Sequence, residues 1–158
     1  MWGEAFEATW KLGIPVALLS WVMLHRLYFT GVITYDEDPD DLEKSINKAG
    51  RGGMVQSKWM QFGGGFYGAA ALWTFFIMEM QQVLELLGDW TPVREALDDG
   101  LVAAIIALFV NQLMNFIDAI IWFMYWSGGG AHIWVWFVVA YVAYQLAAKT
   151  AQITSRLH

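Results

Sequence analysis

Four polar side chains within apolar stretches of the sequence are the first candidates for chemistry. Glu79 interrupts one apolar block, and Asn111, Asn115 and Asp118 follow at i, i+4 and i+7 in a later one. On a helix, this spacing places the three on one face. A charge in hydrocarbon is costly, so a carboxyl there must be paired, protonated or hydrated. The pattern indicates a proton or cation path with Glu79 and Asp118 as carriers, a hydrogen-bonded lock between helices, or a contact to a lipid or quinone headgroup.

These groups are expected at one depth. Glu79 precedes the polar connection 88–100 by nine residues, roughly 13 Å of helix. Asn111 follows that connection by about ten residues, roughly 15 Å. Antiparallel helices would therefore hold Glu79 level with Asn111 and Asn115, and Gln145 falls at a similar depth in the last block. The sequence predicts a buried carboxyl ringed by amides, formed by Glu79, Asn111, Asn115, Asp118 and Gln145.

Two histidines are candidate axial ligands of a haem. His25 lies toward the end of the first apolar block and His132 starts the last one. In a topology with four spans, both would fall toward the same membrane face, and two such imidazoles can ligate haem iron. The pair His25-Arg26 is equally typical of a helix end at the membrane interface, and His132 follows a glycine turn. We therefore expect no cofactor and no metal site, since a metal site needs three or more converging ligands.

The sequence contains no motif for enzymatic catalysis, for a thiolate metal site or for nucleic-acid binding. The chain has no Cys, which excludes thiolate metal sites and a cysteine nucleophile. No phosphate-binding loop, G-x-S-x-G or H-E-x-x-H motif occurs, so we expect no enzymatic activity. A net charge of −6 without a basic patch argues against nucleic acid as a partner. Six acids are concentrated between Asp36 and Glu43, without the spacing of a calcium loop, and are expected to be solvated.

The composition indicates the elements that must position these residues. Hydrophobic residues make up 58% of the 158 and charged residues 15%, against roughly 45–50% and about 25% in soluble domains. The excess lies in four blocks, approximately 12–33, 62–87, 101–126 and 132–148, separated first by a polar loop at 34–58. A crossing needs about 20 apolar residues. The sequence predicts one all-α membrane domain, 1–158, a helical bundle with four transmembrane helices and a short amphipathic helix in the first loop.

Packing and orientation have weaker signals. Gly64 and Gly68 share a helical face with Glu79, and a small-xxx-small pattern lets membrane helices approach closely. The first loop contains Lys44, Lys48 and Arg51, whereas the second is mostly acidic. By the positive-inside rule, the first loop is expected in the cytoplasm and both termini outside.

Together these features favour a small, non-catalytic accessory subunit of a larger inner-membrane complex. It would pack against other integral membrane subunits, or against itself, through the glycine face and the carboxyl and amide cluster. One alternative is a small proton- or cation-conducting protein that uses Glu79 and Asp118. A weaker alternative is a haem- or quinone-binding electron-transfer subunit that uses His25 and His132. The expected location is the inner (cytoplasmic) membrane, with several crossings.

Overall fold

The chain folds into helices. A computed structural model describes residues 2–31, 62, 64–98, 100–128 and 132–156, and this part of the chain contains no strand. The all-α prediction is confirmed there, while the amphipathic helix expected in the loop 34–58 lies outside the described residues. We number the helices α1 (Trp2–Phe29), α2 (Gly65–Gly88), α3 (Thr91–Asp98), α4 (Leu101–Ile120), α5 (Trp122–Ser127) and α6 (Ile133–Arg156).

Three helices of the described chain are long and apolar enough to cross a membrane: α1, α4 and α6, the last over Ile133–Ser155. The fourth expected span, α2, has 24 residues and therefore sufficient length. Its second half is too polar, because it contains Glu79, Gln81, Gln82 and Glu85. The three apolar helices are those of a membrane-embedded protein, but the four-span arrangement is not confirmed.

The first helix begins about ten residues earlier than the sequence indicates. It starts at Trp2 and contains a π-helical turn at Thr9–Gly13, before Pro15. Its first turns are polar, so apolarity alone did not find them. An ion pair between Glu7 and Lys11, at 2.6 Å and a spacing of i, i+4, supports this segment.

A parallel pair of long helices, α1 and α6, forms the core. Near its start, Glu4 lies beside His132, with 3.7 Å between Oε2 and Nε2. Near its end, Nδ1 of His25 lies 3.0 Å from Oγ of Ser155. Buried residues step along both helices in register: Ala8, Leu12, Val16, Ser20, Leu24 and Tyr28 on α1, and Trp136, Ala140, Tyr144, Ala148, Ala151 and Ser155 on α6. The two helices therefore run in the same direction.

Only the first half of α2 packs on this pair. Its buried residues, Gly68 to Ala71 and Thr74, all lie before position 75. Phe66 packs edge-on against Tyr141. Beyond Thr74, no residue of α2 is buried. We call residues 75–88, α3 and residues 101–114 the arm, because these segments extend away from the core.

The first part of α4 is exposed on all sides. Of residues 101–114, only Ala104 is buried. The helix runs antiparallel to α2, since Asn115 meets Glu79 while Ile120 meets Tyr67. It stops at Ile121, where the hydroxyl of Tyr67 donates to the carbonyl of Ile120.

The chain then reverses along α2, which changes the expected topology. Trp122 at the start of α5 packs on Tyr67, and the indole of Trp126 bonds to Thr74. Because α5 has six residues, it advances only about 9 Å, against about 30 Å of hydrocarbon. The described segments on either side of the glycines are antiparallel, since Trp126 stacks on Trp136 and Phe123 packs on Phe137. The helix α4 nevertheless runs in the same direction as α6, because the chain has already reversed once at Ile121.

Candidate functional site: a carboxylate between α2 and α4

The most distinctive polar group of the described chain is the carboxylate of Glu79. Its Oε1 accepts two hydrogen bonds, from Nε2 of Gln112 at 2.9 Å and from Nδ2 of Asn115 at 3.0 Å. Asn115 is buried, Glu79 is half-buried and Gln112 is exposed. We call these three residues the Glu79 cluster. It joins the two antiparallel helices of the arm and opens to the surface on one side.

Helix periodicity positions the three groups. Gln112 and Asn115 are three residues apart on α4, so both side chains reach the side that faces α2. On α2, Phe76 and Val83 lie at i−3 and i+4 from Glu79, and therefore border it on the same face. Both are about half exposed. The carboxylate thus has apolar neighbours at i−3 and i+4, whereas its neighbour at i+3, Gln82, is polar.

Two of the expected partners lie on α4 but form no hydrogen bond with Glu79. Asn111 is exposed and Asp118 is half-buried, and neither has a hydrogen-bond partner in the described part of the chain. Gln112, which bonds to Glu79, was missed because the i, i+4 stripe favoured its neighbour Asn111. The sequence did show an amide at Gln112, next to Asn111. Which of the two side chains bonds to Glu79 depends on how α4 is rotated about its axis relative to α2.

Gln145 is the third expected partner that stays apart. It is half-buried on α6 and forms no hydrogen bond with the Glu79 cluster. The prediction assumed one unbroken helix from residue 101 to the glycines after Ser127, whereas α4 ends at Ile120. A residue of the core pair is therefore separated from the arm.

A second set of polar contacts connects α5 to α2. Nε1 of Trp126 donates to Oγ1 of Thr74 at 2.8 Å, and this hydroxyl donates in turn to the carbonyl of Ala70. The hydroxyl of Tyr125 donates to Oε1 of Gln81 at 3.3 Å. These bonds fix the base of the arm, because they attach the middle of α2 to the reversing segment of the chain.

The electrostatic surroundings of the cluster are acidic. In the described part of the arm, the acids are Glu79, Glu85, Glu95 and Asp98, whereas Arg94 is the basic residue. No described Lys, Arg or His forms an ion pair with Glu79. The two amide N–H groups are neutral donors, so within the described residues the carboxylate of Glu79 has hydrogen bonds but no counter-ion.

The histidines expected as haem ligands are far apart. His132 lies beside Glu4, and His25 stacks on Trp21 and contacts Ser155. Twenty-one residues separate Glu4 from His25 on α1, which corresponds to roughly 31 Å of helix. Their placement on one membrane face is wrong, because it required antiparallel helices. In this structure, the two cannot be the axial ligands of one haem.

The glycine pair also has a different role from the one expected. Gly68 is buried within α2, but Gly64 precedes the helix and has φ 66° and ψ −169°. A side chain is strained at that φ, so Gly64 serves to start the helix. Instead, one full turn of α2 consists of small residues, Gly68, Ala69, Ala70 and Ala71, which are all buried.

Neither a metal site in the described residues nor similarity to known proteins indicates a function. Among the described residues, no group of three or more His, Asp or Glu side chains could hold a metal ion. No family model matches the chain, and comparisons with curated proteins and with solved structures find no match. The geometry of the arm is therefore the basis for assigning a function.

Proposed function

We propose that the protein is a non-catalytic accessory subunit of a larger complex in the inner membrane. The pair α1 and α6 anchors the subunit, and the arm docks on another integral membrane protein. One observation carries this proposal. The helix α4 is the most apolar of the three candidate spans and also the least buried, at 6% of its apolar window, against 44% for α1 and 33% for α6.

Lipid alone would cover the apolar residues of α4 but not its polar groups. Gln112 and Asn115 lie 11 and 14 residues after Leu101, roughly 17 and 21 Å along a helix of about 30 Å. In a membrane-embedded α4, these amides and Glu79 would lie within the hydrocarbon layer, with Asn115 about 9 Å from the nearer end of the helix. Polar groups at such depth are found facing protein or a water-filled cavity. A protein neighbour on this face supports the subunit assignment.

Native purification tests the proposal. The protein is extracted gently from its own membranes, and the mass of the particle and its co-purifying chains are determined. We expect a complex well above the 17.9 kDa of one chain, with one dominant integral membrane partner. A monomer or a pure homo-oligomer would contradict the assignment.

A matched pair of variants locates the docking surface. Leu108 on α4 and Leu18 on α1 are similarly exposed, at 65% and 61%. Leu108→Trp places a bulky side chain in the proposed interface, and Leu18→Trp places it on the anchor. We expect the first variant to lower recovery of the complex at least fivefold and the second to leave it unchanged. Equal recovery would show that the arm is not the docking surface.

Conduction is the second candidate, and the position of Asp118 favours it. Asp118 lies three residues after Asn115 on α4, and Asn115 donates to Glu79 of α2, so about one helical turn separates Asp118 from the amide that bonds to the other carboxyl. Proton flux into liposomes distinguishes the two functions. An accessory subunit gives the flux of empty liposomes. A conducting protein gives a higher flux that Glu79→Gln and Asp118→Asn abolish.

A further inference from the structure

The surface around Glu79 has the composition of a binding site for one specific kind of helix. Its centre is a carboxylate, and its border is largely apolar, formed by Phe76 and Val83 on α2 and Leu108 on α4, with Gln82 as a polar neighbour at i+3. Leu108 lies one turn before Gln112, on the same side of α4. A partner that fits must therefore be apolar along most of its length and cationic at one point.

The hydrogen bonds of Glu79 leave room for such a cation. Both amide donors of the cluster bond to Oε1, and no described residue donates to Oε2. The amides present N–H groups rather than carbonyl oxygens to the carboxylate, so they do not form the oxygen cage that a bare metal ion requires. An ammonium or guanidinium group supplies its own donors and suits the free oxygen.

The charge of the arm argues against a second copy of this chain as the partner. Its described acids outnumber its one described basic residue, Arg94, and the whole chain has a net charge of −6. Two arms packed face to face would oppose like charges. A different chain with a basic residue would neutralise Glu79 in surroundings where an unpaired charge is costly.

We propose that the arm binds a transmembrane helix that carries a single Lys or Arg near its centre, and that Glu79 pairs with this residue. The proposal rests on the accessory-subunit function and specifies the chemistry of the partner. Phe76, Val83 and Leu108 contact the apolar part of the partner helix. Glu79 pairs with its Lys or Arg and thereby selects a helix that carries a cation.

Designed peptides in liposomes test this selection. Three polyleucine helices of equal length carry Lys, Gln or Leu at the central position. Since the protein has no Cys, Leu97→Cys, outside the proposed surface, accepts one fluorophore for energy-transfer binding curves. We expect the Lys peptide to bind at least tenfold more tightly than the Leu peptide. Glu79→Gln should remove this preference, whereas Glu85→Gln, a second carboxyl of α2, should retain it.

The outcomes separate this inference from the proposed function. Equal binding of the Lys and Leu peptides, or a preference that survives Glu79→Gln, would overturn the pairing. If native purification still yields a dominant membrane partner, the accessory function stands without it. Circular dichroism of each variant in the same liposomes checks that the helices are intact, and Gln preserves an oxygen acceptor for both amide donors.

Discussion

The indole N–H of Trp73 donates a hydrogen bond to the backbone carbonyl of Lys11 at 3.1 Å. Lys11 lies in the π-helical turn Thr9–Gly13, where the regular i to i+4 bonding of α1 is interrupted. A similar contact occurs where α4 stops, because the hydroxyl of Tyr67 donates to the carbonyl of Ile120. Two side chains of α2 thus satisfy backbone carbonyls at the two irregular points of its neighbours.

Removing the indole donor tests the role of this contact. Trp73→Phe keeps an aromatic ring but leaves the carbonyl of Lys11 without this hydrogen bond. We expect a loss of about 1 kcal/mol in the free energy of unfolding, measured by denaturant titration in mixed micelles with circular dichroism. Trp10→Phe is the control, since Trp10 is 68% exposed. An equal effect of both substitutions would show that the bond does not stabilise the fold.

The helices α1 and α6 approach each other closely at Gly13. A Cβ there would lie 2.9 Å from Cγ1 of Val139, whereas a Cβ at Gly3 would have no atom within 4 Å. Val is stiff at χ1, so the helices must separate. Gly13→Ala should destabilise the fold by about 1–2 kcal/mol, although Ala is the better helix former. Gly3→Ala should be neutral or stabilising.

A double variant identifies the cause of that effect. Val139→Ala removes the side chain that a Cβ at position 13 would meet. The combination with Gly13→Ala should recover part of the lost stability, which the same unfolding titration measures as a coupling free energy. Strict additivity of the two substitutions would contradict the close approach.

The parallel direction of α1 and α6 has a direct test by cross-linking. Engineered cysteine pairs are unambiguous because the chain has no Cys. We expect Gly3→Cys to cross-link efficiently with His132→Cys through a short reagent, since Glu4 lies beside His132. Thr150→Cys is the control partner, because it lies 18 residues further along α6, roughly 27 Å away. Antiparallel packing would reverse the two yields.

Much of the helical content could be predicted from the sequence, because it depends on local patterns. Proline in the first turn is typical of a helix start, and α3 begins at Thr91, directly before Pro92. Equal spacing from the loop 88–100 placed Glu79 level with Asn115, and the structure brings these two together. Gln112 rather than Asn111 bonds to Glu79 because of the rotation of α4 about its axis. This rotation depends on how the surfaces of α2 and α4 pack, and the spacing of residues within one helix does not reveal it.

Helix direction could not be predicted in the same way. The glycines after Ser127 are typical of a tight turn, and a tight turn between two apolar blocks suggests antiparallel neighbours. The chain reverses already at Ile121, before these glycines, and this additional reversal is held by Tyr67 and by the aromatic contacts of Trp122. The contacts with Tyr67 join segments more than 50 residues apart, and the contact between Trp122 and Phe137 lies across a turn. No local sequence pattern predicts them. The expected positions of His25, His132 and Gln145 assumed antiparallel helices, so the structure places these residues elsewhere.

The start of α3 should depend on pH. Oδ1 of Asp89 accepts hydrogen bonds from the backbone N–H and the hydroxyl of Thr91, and these bonds lower the pKa of Asp89 below its usual value. A lowered pKa stabilises the folded form above the ordinary carboxyl pKa, and this stabilisation is lost as pH falls through the lowered value. Amide exchange at Thr91 should accelerate, relative to its intrinsic rate, at acidic pH.

An amide side chain at position 89 distinguishes the effect of the carboxylate charge from the effect of the hydrogen bonds to Thr91. Asp89→Asn preserves an oxygen acceptor but does not titrate. Exchange at Thr91, corrected for the intrinsic rate, should then vary little across the acidic range. If the variant shows the same acid dependence as the original chain, another group controls the start of α3.

Photo-crosslinking in native membranes tests the docking of the arm most directly. A photoreactive amino acid is introduced singly at Leu108 on α4, and at the similarly exposed Leu18 on α1 and Leu146 on α6. If the arm docks on another membrane protein, Leu108 should give one dominant protein adduct, and the two anchor positions should give mainly lipid adducts. Lipid adducts at all three positions, or the same protein adduct from the anchor as from the arm, would contradict the proposed docking surface.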